Sequence, residues 1–231
     1  MPESPEIEFQ RFYIEKHIKN RSLTKIDILW GRYKTHGPRS NYLKFKRSLP
    51  LKCINIHKPG KVLFIFFEND WCIISKLGMS GWWYTIGDEP KWKPVTKNVV
   101  FNIKGQEDLI FSDFRNYGTL TFTQNKSIIT KELSVLAPDI LDRKTISGNN
   151  LKLITNNIIM LSKAKQEWLL EDALVDQKLI VSGIGNYLKS EILYDARISP
   201  LRKVKDVSFN EWLNIIHIAH TISQKMYNKL L

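Results

Sequence analysis

Two cysteines, Cys53 and Cys72, are all that this 231-residue chain contains. That is too few for a disulfide framework or for a four-cysteine zinc site within the chain. Long apolar runs are missing too, and nothing approaches the roughly 18 consecutive apolar residues of a membrane helix. Acidic residues are in deficit, 23 Asp and Glu against 35 Lys and Arg, for a formal net charge of +12. The excess fits a polyanionic partner, either nucleic acid or an anionic membrane surface. Only nine of the cations are arginine, so a lysine-biased coding source accounts for the charge equally well. The opening residues, MPESPEIEFQ, are acidic and amphipathic, unlike a signal peptide or an Arg-rich transit peptide. The expectation is a soluble intracellular protein, with nucleus, cytoplasm and viral compartment undistinguished.

What is present is globular: 43% hydrophobic and 25% charged residues, enough for a real core. Residues from Pro5 to about Asn20 read as a helix, with Ile7, Phe12, Ile14 and Ile18 near helical spacing. Eight strand-like runs follow, at 22–30, 52–57, 61–67, 71–77, 82–86, 98–103, 108–113 and 119–124. Gly, Pro, Asn and Asp punctuate them, which predicts an antiparallel sandwich or barrel. Beyond residue 125 the pattern turns helical, with helices expected at 164–174, 186–196 and 209–231. The expected fold class is therefore α+β: a β-sandwich led by an α-helix over 1–125, then an all-α domain over 126–231, with a linker in 124–150.

Pro2 carries the first chemical signal. A small second residue permits removal of Met1, which leaves a secondary amine at the terminus. An α-amino group titrates near ~7.7–8.0 against ~10.4 for lysine, so the terminus is the better nucleophile at neutral pH. With an aldehyde it forms a charged iminium, and Glu3 beside it is a candidate general acid or base. Proline at position 2 is also common, and Glu3 and Glu6 suit the start of a helix for purely local reasons.

Four further stretches occur in order after MPESPE: KPGKVLF at 58–64, LGMSG at 77–81, SDFRNYG at 112–118 and QKLIVSGIGNYLKSEILYDARISP at 177–200. Together they resemble the formamidopyrimidine-DNA glycosylase and endonuclease VIII family of base-excision repair enzymes, over residues 1 to about 215. The GIGNYLKSEILY wording is most similar to the eukaryotic and viral endonuclease VIII-like branch.

The resemblance implies roles. Pro2, Glu3 and Lys61 would be catalytic, with Lys61 near the lesion's phosphate and sugar. Met79, Arg115 and Tyr117 would fill the hole left by a flipped nucleotide, as apolar wedges do in kinked DNA. Tyr117 stands where many relatives have Phe, and Asn116 where a second Arg is common. Gly185 and Asn186 would open the second helix of a helix–two-turn–helix DNA clamp, offering backbone N–H groups to a phosphate, with Asn186 as cap. Gln177 precedes them. The stretch LAPDIL at 136–141 resembles the connection into the helical domain.

The implied activity is a bifunctional glycosylase and abasic-site lyase acting on oxidised bases, pyrimidines and hydantoins favoured over 8-oxoguanine. The partner would be double-stranded DNA with a damaged or abasic site, bound by a monomer, with no membrane. No cofactor and no metal are implied, since the amine is itself the electron sink. His217 and His220 share a helix face but lack a third ligand nearby. Relatives also carry a final β-hairpin finger, most with zinc, and neither kind is expected before Leu231. A non-catalytic binder of damaged, abasic or kinked DNA is the alternative.

Overall fold

The computed structural model describes residues 2–37, 41–92, 94–142 and 144–231. Met1, whose removal the sequence predicts, lies outside them. The chain divides into two compact units: residues 1–2, 7–58 and 62–130 in the first, and 3–6, 59–61 and 131–231 in the second. The second unit therefore recruits two short pieces from the β-rich half, one on either side of residues 7–58.

In the first unit, helix α1 (Ser4–Ile18), whose residues 4–6 belong to the second unit, is followed by β1 (Ser22–Ile28), two short helices, α2 (Arg32–His36) and α3 (Tyr42–Arg47), and then β2 (Leu51–His57) to β8. The remaining strands are β3 (Val62–Phe67), β4 (Cys72–Lys76), β5 (Trp82–Thr85), β6 (Val99–Ile103), β7 (Leu109–Ser112) and β8 (Thr119–Thr123). Their order is β5-β7-β6-β1-β2-β3-β4-β8, antiparallel throughout. β1 and β2 share only a short register, Ser22 with Lys52 and Leu23 with Leu51, so the sheet hinges there into two four-stranded arms. Residues of both arms, among them Ile26, Phe101, Ile65 and Phe122, belong to one core cluster, as in a sandwich. Trp71 and Trp83 are fully buried. On α1 the buried residues are Ser4, Pro5, Ile7, Gln10, Ile14 and Ile18, whereas Phe12, expected on that face, is exposed.

The second unit holds α4 in part (Lys126–Ser134), α5 (Gly148–Ala164), α6 (Leu170–Val175), α7 (Asn186–Ala196) and α8 (Phe209–Asn228), around Ile158, Leu188, Ile192, Trp212 and Ile216. Residues 124–150, where the linker is expected, include α4, none of whose residues is buried. One sequence expectation needs correction. The helix expected at 164–174 is broken at 165–169. There Leu170 N–H donates to Arg202 O at 2.8 Å and Val204 N–H to Trp168 O at 2.9 Å, so pairing with a distant segment overrides local periodicity. α8 begins with a capping box: Ser208 and Glu211 satisfy each other's backbone N–H groups. No helix among the described residues is long and apolar enough to cross a membrane.

Candidate active site and DNA interface

The loop into α7 is set by its glycines. Gly183 has φ +104°, a region that L side chains avoid, and a Cβ there would meet Ser4 Cβ at 2.6 Å. Gln177 closes the turn: its Oε1 accepts from Gly183 N–H at 2.7 Å and its Nε2 donates to Ile184 O at 2.9 Å. Gly185 is extended, φ −127°, and occupies the N-cap position. Of the two glycines, then, only Gly183 is left-handed. Asn186 is the first helical residue and exposed, not the cap.

The cap of α7 comes from the other end of the sequence. Glu3, 1% exposed, accepts from Gly185 N–H (2.6 Å) and Leu188 N–H (3.2 Å) on Oε2, and from Tyr187 N–H (3.0 Å) on Oε1. Free N–H groups at a helix start form an anion site, and here the chain's own carboxylate fills it. The Gly185 amide expected to face a phosphate is thus already engaged. What Gly185 supplies is room, since a Cβ there would lie 2.3 Å from Glu3 Oε1 and 2.7 Å from Lys61 Nζ. Glu3 and Lys61 therefore flank one point beside the helix start.

Asp139 sets both of them in place. Its Oδ2 accepts from Gly60 N–H in the turn that carries Lys61, and its Oδ1 from the Ser4 hydroxyl and from Leu141 N–H, each at 2.9 Å. Glu6 accepts from Glu3 N–H at 2.9 Å and from the Tyr187 hydroxyl at 2.8 Å. Sequence reasoning gave Asp139 and Tyr187 no role, although both lie in quoted stretches, LAPDIL and GIGNYLK.

Burial pushes the Glu3 carboxyl above the ordinary carboxylate range, against the pull of Lys61 and the three amides. Burial likewise pushes the Lys61 ammonium below the ordinary lysine value, against the pull of Glu3 and Glu6. The Tyr187 phenol is held well above its usual value by burial and by Glu6. A carboxyl and an amine whose titrations are drawn toward neutrality are suited to moving protons. Pro2, buried, is bonded directly to Glu3.

In the first unit, the loops 77–81 and 113–118 come together. Met79 (47% exposed), Arg115 and Tyr117 (59%) stand out from them. Gly78, φ +61°, lets the loops touch, because a Cβ there would lie 2.8 Å from Tyr117 C. Asn116, also left-handed at φ +60°, turns its Oδ1 toward Arg32 N–H at 3.0 Å. Where a second arginine is common in relatives, a side chain serving the loop stands instead. Trp82 and Trp83 are buried, in line with a packing role. His220 Nδ1 contacts Ile140 O at 2.8 Å, and no group of three or more metal-ligating side chains occurs among the described residues.

The architecture is that of DNA glycosylases. A Lactococcus lactis formamidopyrimidine-DNA glycosylase bound to DNA with an abasic site matches with a TM-score of 0.79 at 22% identity, over 99% of this chain and 82% of that one. MutM in complex with DNA containing a carbocyclic 8-oxo-G matches with a TM-score of 0.78 at 23% identity, over 98% and 81%. In sequence, the formamidopyrimidine-DNA glycosylase N-terminal domain matches residues 1–120. The formamidopyrimidine-DNA glycosylase of Wolbachia sp. subsp. Drosophila simulans is 31% identical, across 96% of this chain and 77% of that protein. That of Shouchella clausii is 27% identical, across 93% and 74%. The chain belongs to the formamidopyrimidine-DNA glycosylase family. These relatives are bacterial and do not single out the endonuclease VIII-like branch.

Proposed function

We propose that this protein is a base-excision repair enzyme that removes oxidised bases from double-stranded DNA and cleaves the strand at the resulting abasic site. The observation that carries this reading is the Glu3 carboxylate clamped on three amides of α7 beside Lys61, one peptide bond from Pro2.

The base is extruded from the stack, because its sugar carbon is out of reach inside a duplex. Pro2, freed of Met1, attacks C1′ with its nitrogen lone pair, and the C1′–N bond to the base breaks. Its electron pair leaves with the base, which takes up a proton supplied through Glu3. The prolyl nitrogen then gives its own proton to O4′ as its lone pair breaks the C1′–O4′ bond, and the iminium formed on the opened sugar draws electrons from C2′. Loss of the C2′ proton then expels the 3′ phosphate, a second elimination expels the 5′ phosphate, and water hydrolyses the iminium to free the sugar from Pro2. Lys61 positions the phosphate. Met79, Arg115 and Tyr117 occupy the vacated space, with Arg115 toward the orphaned base and Tyr117 as a stacking wedge. Asn186, exposed at the start of α7, donates to a backbone phosphate. The first 125 residues act as the catalytic domain and 126–231 as the DNA-binding domain of a monomer. The GIGNYLKSEILY stretch favours oxidised pyrimidines and hydantoins as substrates, a preference that a panel of duplexes with one defined lesion each measures directly.

Borohydride tests the mechanism, because an iminium is reducible and a non-covalent complex is not. Added to the protein with abasic DNA, it should give a denaturation-resistant adduct whose mass places the link on Pro2. An N-terminal extension should abolish trapping and leave binding largely intact. Trapping at full strength with the terminus blocked overturns Pro2 as nucleophile. Binding without trapping, even with Pro2 free, makes the chain a non-catalytic binder of damaged DNA.

A further inference from the structure

Beneath the exposed tips of the loops 77–81 and 113–118 lies a set of buried polar side chains that the mechanism above does not use. Asp113, 1% exposed, accepts the Ser80 hydroxyl on Oδ1 and Gly118 N–H on Oδ2. One carboxylate thus holds both loops. Ser80 Oγ in turn accepts from Arg115 N–H at 3.3 Å. Asn98, 2% exposed, fixes the backbone of Asp113 itself: its Oδ1 accepts Asp113 N–H at 2.7 Å and its Nδ2 donates to Asp113 O at 3.1 Å. That exchange imitates a strand pair and prolongs the β6–β7 ladder, which ends at Val99 and Phe111. Arg32 ties the start of α2 to the same frame, donating from its guanidinium to Gly118 O at 2.6 Å and from its backbone to Asn116 Oδ1. Gly31 is packed against the frame, since a Cβ there would fall 2.3 Å from Asn116 Oδ1 and 2.5 Å from Asn98 Nδ2.

We propose that Asp113, itself held by Asn98, is a positioning residue that joins the two loops into one preformed insert, so that Met79, Arg115 and Tyr117 enter the duplex already in register. The proposal rests on the wedge reading of those three side chains and deepens it. Loops that had to order on binding would lose part of their contact energy to conformational entropy. A buried carboxylate with one oxygen engaged by a hydroxyl and the other by an amide removes that cost in advance.

The test compares excision of the same damaged base from a fully paired duplex and from an unpaired bulge. The chemistry is identical, and only the paired substrate needs the stack opened. Asp113→Ala, Asn98→Ala and Ser80→Ala should each lower the paired-to-bulged rate ratio by about 10- to 100-fold, as loss of buried hydrogen bonds translates into rate. Asp113→Asn should stay within a few-fold of the parent. Its carboxamide oxygen can still accept Gly118 N–H while its nitrogen donates to Ser80 Oγ. If Asp113→Ala fails to fold, Ser80→Ala and Asp113→Asn carry the same test. Equal slowing on both substrates at an unchanged melting temperature overturns the proposal. If Met79→Ala and Tyr117→Ala lower the ratio while Ser80→Ala and Asn98→Ala do not, the wedge reading stands and the frame fails. If the tip variants leave the ratio untouched, the wedge reading itself falls, and the frame with it.

Discussion

Replacing Gly185 by alanine adds one methyl group at the point where Glu3 and Lys61 meet. The new Cβ would lie 2.3 Å from Glu3 Oε1, 2.4 Å from Glu3 Cδ and 2.7 Å from Lys61 Nζ. Lysine can swing its tip away, but the carboxylate is held by three amides and has to leave them or push α7 back. Ordinary contact requires a retreat of about 1 Å, a displacement that can cost about 100-fold in rate when a reacting group is involved. Stability should suffer as well. Loss of a helix cap costs about 0.5–2 kcal/mol, and a hydrogen bond to a charged group is worth about 1.5–3 kcal/mol. Allowing for partial re-solvation, Gly185→Ala should lose about 2–4 kcal/mol by denaturant titration. Single-turnover excision and borohydride trapping, run below the midpoint of the folded variant, read the rate. Glu3→Gln gives the control. Its amide can accept from Gly185 and Leu188, but then turns an NH2 toward Tyr187 N–H, so it disturbs the same clamp. If Gly185→Ala acts through Glu3, the two losses should be far from additive in the double variant. Full activity in Gly185→Ala, or losses that add, would refute the reasoning.

Four further outcomes are expected. Duplex affinity should fall steeply with salt, with a log–log slope near about −4.5 for roughly five neutralised phosphates, and a flat response contradicts a DNA-binding role for the charge. Asn186→Ala should weaken binding to all duplex sequences alike, since backbone contacts carry no sequence information; a sequence-dependent loss argues for base contact. Met79→Ala should slow excision of a paired base much more than cleavage at a preformed abasic site, because unstacking costs a few kcal/mol only in the former; equal losses with impaired folding make Met79 a packing residue. The pH profile of single-turnover excision should be narrow. Glu3, raised by burial, loses its ionised clamp as pH falls while an ordinary glutamate is still charged. Lys61, lowered by burial, loses its charge as pH rises before an ordinary lysine does. Lys61→Arg, which stays protonated, should remove the alkaline limb even if overall activity drops, and persistence of that limb assigns it to another group.

The fold was largely legible because its strands carry their own signals. Each of the eight expected runs overlaps an observed strand, since short β-branched and aromatic segments bounded by turn residues leave few other options. Where the reading failed, the deciding partner was far away in sequence. The break at 165–169 depends on hydrogen bonds to 202–204, and α1 buries Gln10 rather than Phe12 because Gln10 Oε1 accepts Trp83 N–H. The site shows the same division. The family resemblance pointed to Glu3, Lys61 and the GIGN loop, and periodicity placed the helix that follows. Nothing local could reveal that Glu3 caps that helix, because the two are separated by 182 residues. Gly185 and Asn186 read naturally as a phosphate site, which is what an open helix N-terminus is. Here an anion of the chain itself, the Glu3 carboxylate, takes the Gly185, Tyr187 and Leu188 amides. Once a buried carboxylate takes those amides, the helix start holds Glu3 in place beside Lys61, and the exposed Asn186 remains as its outward polar group.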